Sequence, residues 1–299
     1  MPQNAVAILN PVAGRARGQE LARQAVAELK RRFGELEIRA TSSPDDEFTQ
    51  AREVRDRGLV IAVGGDGTVR DVAAGILGGS AELAIVPVGS GNDFTKTIGV
   101  PRDVVAACRI AAEGKAMPVD AVRVEMSGPA GTRVRHYINV AGFGFDAMVV
   151  AEARRSRHLR GLALYVNAVF RAVRDYHCPQ VRLKVGDREW RQGILLCAAA
   201  NGRIYGGGMK IAPEAKPDDG LLEICIADPM SRLQIMRALP RLVAGTHVTM
   251  REVKMLRAPE MELELVNPAP VQLDGDVIDT SGYTTFRMSV LPGAIRVRV

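Results

Sequence analysis

Leu59-Val60-Ile61-Ala62-Val63 is an apolar run that ends in Gly64-Gly65-Asp66-Gly67-Thr68 and turns amphipathic from Val69 onward. A short apolar run closed by glycine reads as a buried strand. Val69, Val72, Ala73 and Ile76 then recur at helical spacing. The stretch is therefore strand, tight glycine loop and helix start. Glycines let backbone N–H groups come close to an anion, and the start of a helix adds partial positive charge. Asp66 is the anomaly, because a carboxylate aimed at a phosphate repels it unless a cation intervenes. A Mg²⁺ carried by a nucleotide resolves the conflict. The alternative is an ordinary strand-to-helix turn that Asp66 merely caps.

The same grammar recurs along the first 120 or so residues. Val6–Leu9 reads as a buried strand that runs into Asn10-Pro11-Val12-Ala13-Gly14-Arg15-Ala16-Arg17-Gly18, and an amphipathic helix follows from Gln19 to Arg32. Arg15 and Arg17 either meet phosphates or form a solvated basic loop. Leu36–Ala40 reads as a second strand ending at Thr41, beside a helix start whose first turn holds Asp45, Asp46 and Glu47, where acids suit the dipole. Thr41 either contacts a nucleotide or only caps. Leu83–Val88 is another buried strand, followed by Gly89-Ser90-Gly91-Asn92-Asp93-Phe94 and a helix from Pro101 to Glu113. Alternating strands and helices predict a doubly wound parallel sheet. Its three polar glycine loops fall at strand ends, along one edge of the sheet, where such sheets bind ligands.

The pattern changes near Val119–Arg123. Period-two and short apolar runs now dominate: 121–125, 134–141, 181–185, 193–200, 221–227, 261–266, 271–273, 285–290 and 295–299. They predict an antiparallel sandwich, interrupted by helices at 145–154, 159–175 and 231–243. Two domains are expected, 1–122 and 123–299, with the last strand free to pack back on the first. Three clusters in this half carry chemistry. Gly142-Phe143-Gly144-Phe145-Asp146 brings backbone close to something or is a bulged turn. Pro217-Asp218-Asp219-Gly220-Leu221 suits a hard cation or is a charged turn. Asp274-Gly275-Asp276 is a carboxylate pair or a type I′ hairpin turn.

Composition narrows the partners. A net charge of +6 favours anionic ones, whereas aromatics at 4% leave few stacking platforms for single-stranded nucleic acid, so no nucleic-acid partner is expected. Cys108, Cys178, Cys197 and Cys225 have no paired spacing, and the histidines form no metal pattern. No basic leader precedes an apolar core, and no apolar run nears the ~18 residues of a membrane span. A cytoplasmic protein is expected. Arg154-Arg155-Ser156-Arg157-His158-Leu159-Arg160 precedes a helix carrying Leu162, Leu164, Tyr165, Val169 and Phe170. That pairing either docks peripherally on anionic headgroups at the inner membrane face or is a helix packed over core.

Asn10-Pro11, Gly64–Thr68, Gly89–Phe94, Pro217–Leu221 and Asp274–Asp276, in this order and at these intervals, resemble the diacylglycerol-kinase-like lipid kinases. The superfamily includes diacylglycerol, sphingosine and ceramide kinases. Within it, the chain looks most like soluble bacterial members acting on diacylglycerol or phosphatidylglycerol. The likeness spans nearly the whole chain. It implies an α/β plus β architecture: a doubly wound domain like those of phosphofructokinase and NAD kinase, followed by an antiparallel β-sandwich, with ATP and lipid meeting between them. It also implies roles. Gly64, Gly65, Asp66, Gly67, Thr68, Val69 and Arg70 would cradle the ATP phosphates, with Asp66 facing the Mg²⁺-nucleotide. Thr41, Ser90 and Asn92 would line the nucleotide site, with Asn10 and Arg15 at its phosphate end. Lys216 and Leu221 through carbonyls, and Asp219 through its carboxylate, would hold a structural Mg²⁺. Asp276 would be the general base on the lipid hydroxyl, where the family usually has glutamate. Arg70-Asp71 stand where the family usually has Asn-Glu.

The function so implied is transfer of the γ-phosphoryl group of ATP to a membrane lipid. Two alternatives remain: an NAD-kinase-type kinase of a soluble metabolite, because the five-residue glycine loop is shared, and a weakly catalytic nucleotide- or lipid-binding regulator, because Asp stands at 71 and 276.

Overall fold

A computed structural model of the chain describes residues 4–43, 45–155 and 161–299. The chain divides into two compact units, the residues up to Ala121 together with Pro292–Val299, and Val122–Leu291.

The first unit alternates strand and helix: β1 (Ala5–Leu9), α1 (Arg15–Phe33), β2 (Glu37–Ala40), α2 (Asp46–Glu53), β3 (Leu59–Gly64), α3 (Asp66–Ile76), β4 (Glu82–Pro87), α4 (Asp93–Ile98) and α5 (Val104–Glu113). The strands pair in parallel in the order β2-β1-β3-β4. All of β3 is buried, as an apolar run covered on both faces must be. The chain leaves β1 toward β2 on one side and returns to β3 on the other. The loops after β1 and β3 therefore border the switch point, where a crevice opens in such sheets. The helix α4 was not expected from sequence; it is a single short turn-and-a-half whose start is capped from outside, as described below.

The fourteen residues Thr285–Arg298 form β16, one continuous strand where two were expected. Pro292-Gly293 reads as a break in sequence, but the N–H of Gly293 donates to Asp120 Oδ1 at 2.7 Å and the strand runs on. Its end belongs to the first unit: Arg296 and Val297 pair in parallel with Glu82 and Leu83. Arg298 Nε meets Glu82 Oε2 at 2.7 Å and its Nη1 donates to the Ala111 carbonyl at 2.7 Å.

The second unit is an antiparallel sandwich. Its elements are the latter part of β5 (Ala116–Gly128), then β6 (Gly131–Tyr137), β7 (Val140–Gly144), α6 (Phe145–Arg155), α7 (Gly161–Asp175), β8 (Gln180–Val185), β9 (Arg188–Gly193), β10 (Leu196–Ala200), β11 (Leu222–Ala227), α8 (Arg232–Ala244), β12 (Val253–Ala258), β13 (Glu260–Leu265), β14 (Val271–Leu273) and β15 (Asp276–Ile278). One layer runs β12-β11-β10-β7-β14-β15; the other holds β16-β13-β8-β9, with the β5–β6 hairpin beside β16. The apolar faces meet in a core where Phe143 and Phe286 pack edge to face at 5.3 Å. A second apolar cluster joins α6, α7 and α8 to the outer face of the first layer. The strands β9 and β12 escaped the sequence reading because their exposed faces are rich in Arg, Glu and Lys. The expected strand 134–141 is broken at Ile138–Asn139, since the backbone N–H groups of Ile138, Asn139 and Val140 are drawn to the Asp274 carboxylate at 2.9, 3.0 and 2.8 Å. Among the described residues, no helix is long and apolar enough to cross a membrane.

Candidate functional site

In the first unit the three glycine loops converge. The loops after β3 and β4 approach closely: a Cβ on Gly89 would lie 2.5 Å from the Gly65 Cα, and one on Gly91 would lie 2.6 Å from Asp66 Oδ2. Only glycine permits backbones to touch in this way. Asp66, at the start of α3, accepts from the backbone N–H of Asn92 at 2.8 Å and of Asp93 at 2.7 Å. Its carboxylate thus caps α4, the helix of the neighbouring loop, and ties the two loops into one floor. Asn92 is buried with φ 51°, and its side-chain amide donates to the Gly89 carbonyl at 2.8 Å. Ser90 is exposed, and its carbonyl, like that of Gly91, accepts from Arg102 Nη2 at 2.9 Å.

Behind this floor lies a polar knot. Asn10 Nδ2 donates to Glu47 Oε1 at 2.8 Å and to Thr68 Oγ1 at 3.2 Å, while its Oδ1 accepts from the Val12 N–H at 3.0 Å. Thr41, also buried, donates to the Leu9 carbonyl at 3.4 Å. Asn10, Thr41 and Thr68 are thus brought together with Glu47, which the sequence presented only as a first-turn acid. Gly64, Gly67 and Val69 sit in the loop and first turn of α3. Arg70, on the same helix, makes a two-pronged pair with Asp71 at 2.8 and 2.9 Å, so its charge is balanced by its neighbour. The side chain of Arg15 lies outside the described residues.

In the second unit, Asp274 and Gly275 form a two-residue hairpin turn with φ 48° and 82° between the paired Leu273 and Asp276. Both positive φ values identify a type I′ turn. Gln272 Oε1 accepts from the Gly275 N–H at 2.8 Å, which, with the Asp274 bonds, fixes the hairpin backbone. Asp276 is partly exposed on this hairpin, and its carboxylate pairs with the guanidinium of Arg154 from the end of α6. Arg154 is therefore not simply a headgroup-facing cation; Arg155 pairs with Glu152 at 2.6 Å, and Ser156–Arg160 lie outside the described residues. On α7, Leu162, Leu164, Tyr165 and Val169 pack against core, while Phe170 stands exposed.

The Gly142–Asp146 cluster is a close approach. A Cβ on Gly142 would lie 1.6 Å from Asp146 Oδ2. Asp146 is fully buried; its Oδ2 receives Gln272 Nε2 at 3.4 Å and its Oδ1 has no partner among the described residues. Burial pushes its carboxyl up to about 7. It lines a cavity of ≈ 80 Å³ walled mainly by apolar side chains of α6, α7 and α8, including Val149, Val169, Leu239 and Leu242. No signal in the sequence marked this cavity, because its walls read simply as core.

The turn expected to hold Mg²⁺ is arranged differently. Asp219 Oδ1 accepts from the Leu221 N–H at 3.1 Å, and Oδ2 faces Arg257 Nη2 at 3.1 Å. Lys216 and Leu221 flank it in the loop before β11. Four strand spacings of the layer, about 19 Å, separate β11 from the hairpin of Asp276. As arranged, these residues do not fit a divalent ion, since a guanidinium already stands on the carboxylate.

Both halves of the chain match families of known proteins. Residues 4–124 match the family described as "Diacylglycerol kinase catalytic domain", and residues 139–299 match "YegS C-terminal NAD kinase beta sandwich-like domain". A protein of Chromohalobacter salexigens named "Probable lipid kinase YegS-like" is 33% identical over 91% of this chain and 86% of its own. A "Diacylglycerol kinase" of Mycobacterium tuberculosis is 31% identical over 97% of this chain and 93% of its own. Among solved structures, a diacylglycerol kinase from Bacillus anthracis shares the fold with a TM-score of 0.72 at 20% identity, covering 99% of this chain and 97% of that one. Yeast NADH kinase shares it more distantly, with a TM-score of 0.55 at 12% identity over 99% of this chain and 83% of that one. The two family matches, together with relatives that run nearly end to end with it, place the chain in the family of diacylglycerol-kinase-like lipid kinases.

Proposed function

We propose that this kinase transfers the γ-phosphoryl group of ATP to a hydroxyl of a membrane lipid such as diacylglycerol or phosphatidylglycerol. The observation that carries the nucleotide half is the joined floor of the loops after β3 and β4, held by Asp66 on the amides of Asn92 and Asp93. Close-packed glycines leave backbone amides and the N-terminus of α3 to meet phosphate oxygens. Gly64–Arg70, Asn10, Thr41, Ser90 and Asn92 are the residues assigned to the nucleotide, and Mg²⁺ enters with it, neutralising phosphate charge. Asp276 is assigned as general base. The lipid oxygen attacks the γ-phosphorus, its proton passes to the Asp276 carboxylate, and the bond to the bridging oxygen breaks to release ADP. Such chemistry is mostly positioning and charge neutralisation. Phe170 on α7 and Leu233 on α8, both exposed, support contact with a membrane surface.

The test is a kinase assay with radiolabelled ATP against a panel of diacylglycerol, phosphatidylglycerol and NAD, with Asp66→Asn and Asp276→Ala as controls. Labelled lipid from the wild type, lost about 10²-fold or more in Asp276→Ala, is the expected result. Labelled NAD without labelled lipid would replace this reading with the soluble-metabolite kinase.

A further inference from the structure

In the Pro217–Leu221 turn the Asp219 carboxylate is balanced by Arg257. Arg257 on β12 stands directly opposite Glu223 on β11 in the strand register. Its guanidinium forks between two acids, with Nε 2.6 Å from Glu223 Oε1 and Nη2 3.1 Å from Asp219 Oδ2. Glu223 is buried, with Glu214 and Asp219 as further negative neighbours and Arg257 as the opposing charge. Withdrawal of Arg257 would leave a buried carboxylate unpaired, which is among the costlier defects a fold can carry. The guanidinium thus hydrogen-bonds Asp219 and stands as the opposing charge beside Glu223, whose Oε1 makes no hydrogen bond of its own among the described residues.

A divalent ion would have to share that oxygen. Mg²⁺ binds oxygen at about 2.0–2.1 Å and requires near-octahedral surroundings. On Asp219 it would sit beside a fixed positive charge, with Oδ1 already accepting from the Leu221 N–H.

We infer that Arg257 is the built-in cation of this turn, cross-linking β12 to the loop before β11 through Asp219 and Glu223, so that the turn needs no structural divalent ion. Any Mg²⁺ requirement of the enzyme then belongs to the nucleotide alone. This inference stands apart from the proposed phosphotransfer, because it concerns the protein without nucleotide or lipid.

The experiment is thermal unfolding of the full chain, without nucleotide, in EDTA and in millimolar Mg²⁺, for wild type, Arg257→Gln, Arg257→Lys and Asp219→Asn. The wild type is expected to melt at the same temperature in both buffers. Arg257→Gln should melt lower in EDTA and recover part of the loss in Mg²⁺, because the vacated carboxylates then accept the ion. Arg257→Lys keeps a charge but loses the fork, so it should melt below wild type and stay insensitive to Mg²⁺; it carries the test if Arg257→Gln does not fold in either buffer. A saturable rise of the wild-type melting temperature with Mg²⁺ that disappears in Asp219→Asn would overturn the inference. So would about one tightly held Mg²⁺ per purified chain by elemental analysis. Failure of lipid phosphorylation would leave these outcomes unchanged.

Discussion

Asp66 shows how much one carboxylate can organise. Its oxygens receive two backbone N–H groups of the neighbouring loop at 2.8 and 2.7 Å, and bonds from amides to a charged acceptor contribute about 1.5–3 kcal/mol. Asp66→Asn turns one acceptor into a donor facing a donor. It should lower stability by about 1–3 kcal/mol in a denaturant melt and phosphotransfer by about 10²-fold through loss of alignment. Asp146 makes a different prediction. Its carboxyl keeps a proton to about pH 7 when folded, against an ordinary value of 3.8. Between those values the folded chain binds a proton that the unfolded chain releases, so stability should fall as pH rises through the window. The slope contributed is at most about 1.4 kcal/mol per pH unit, flattening above the upper value. Asp146→Asn should remove that slope in denaturant melts across the same range. Arg154 completes the set. Its pair with Asp276 joins an exposed guanidinium to a half-exposed carboxylate, so it adds only about 0–1 kcal/mol to stability. If it orients the carboxylate, Arg154→Gln should reduce kcat about tenfold or more with KM for ATP unchanged, and should add nothing to the loss in Asp276→Asn.

The hairpin β14–β15 and the strand–loop–helix of β3–α3 mark the two ends of legibility. The second was plain in sequence, because a fully buried parallel strand must be an unbroken apolar run and its glycine loop can serve few purposes. The direction of Asp66 was not, since the N–H donor it satisfies lies 26 residues away in another loop. For the hairpin, both readings of Asp274-Gly275-Asp276 were open, and the positive φ of Asp274 and Gly275 makes it a I′ turn. The buried Asp274 carboxylate collects the N–H groups of three consecutive residues. Asp274→Ala should therefore lower stability by roughly 3 kcal/mol or more, as several buried donors lose their acceptor. The polar knot of Asn10, Thr41, Glu47 and Thr68, like the forked Arg257, was hidden for the same reason: its members are distant in sequence and individually look like caps or surface charges.

At the level of the full chain, the division falls after Ala121, close to the change in pattern seen in sequence, and the first unit reclaims Pro292–Val299. Ile295 and Val297 are buried there, and Arg298 bridges Glu82 and Ala111. Deleting residues 292–299 should destabilise the first unit in particular, seen as faster hydrogen exchange along β4 and α5 than in the sandwich. The shared strand β16 also orders events in time. A ribosome releases residues 1–121 first, yet the stretch that completes their sheet emerges only after the entire sandwich has been made. The first unit must wait, the outer edge of β4 uncovered, until residues 292–299 have been made, so a chain stalled before them would carry an assembled sandwich and an unfinished partner.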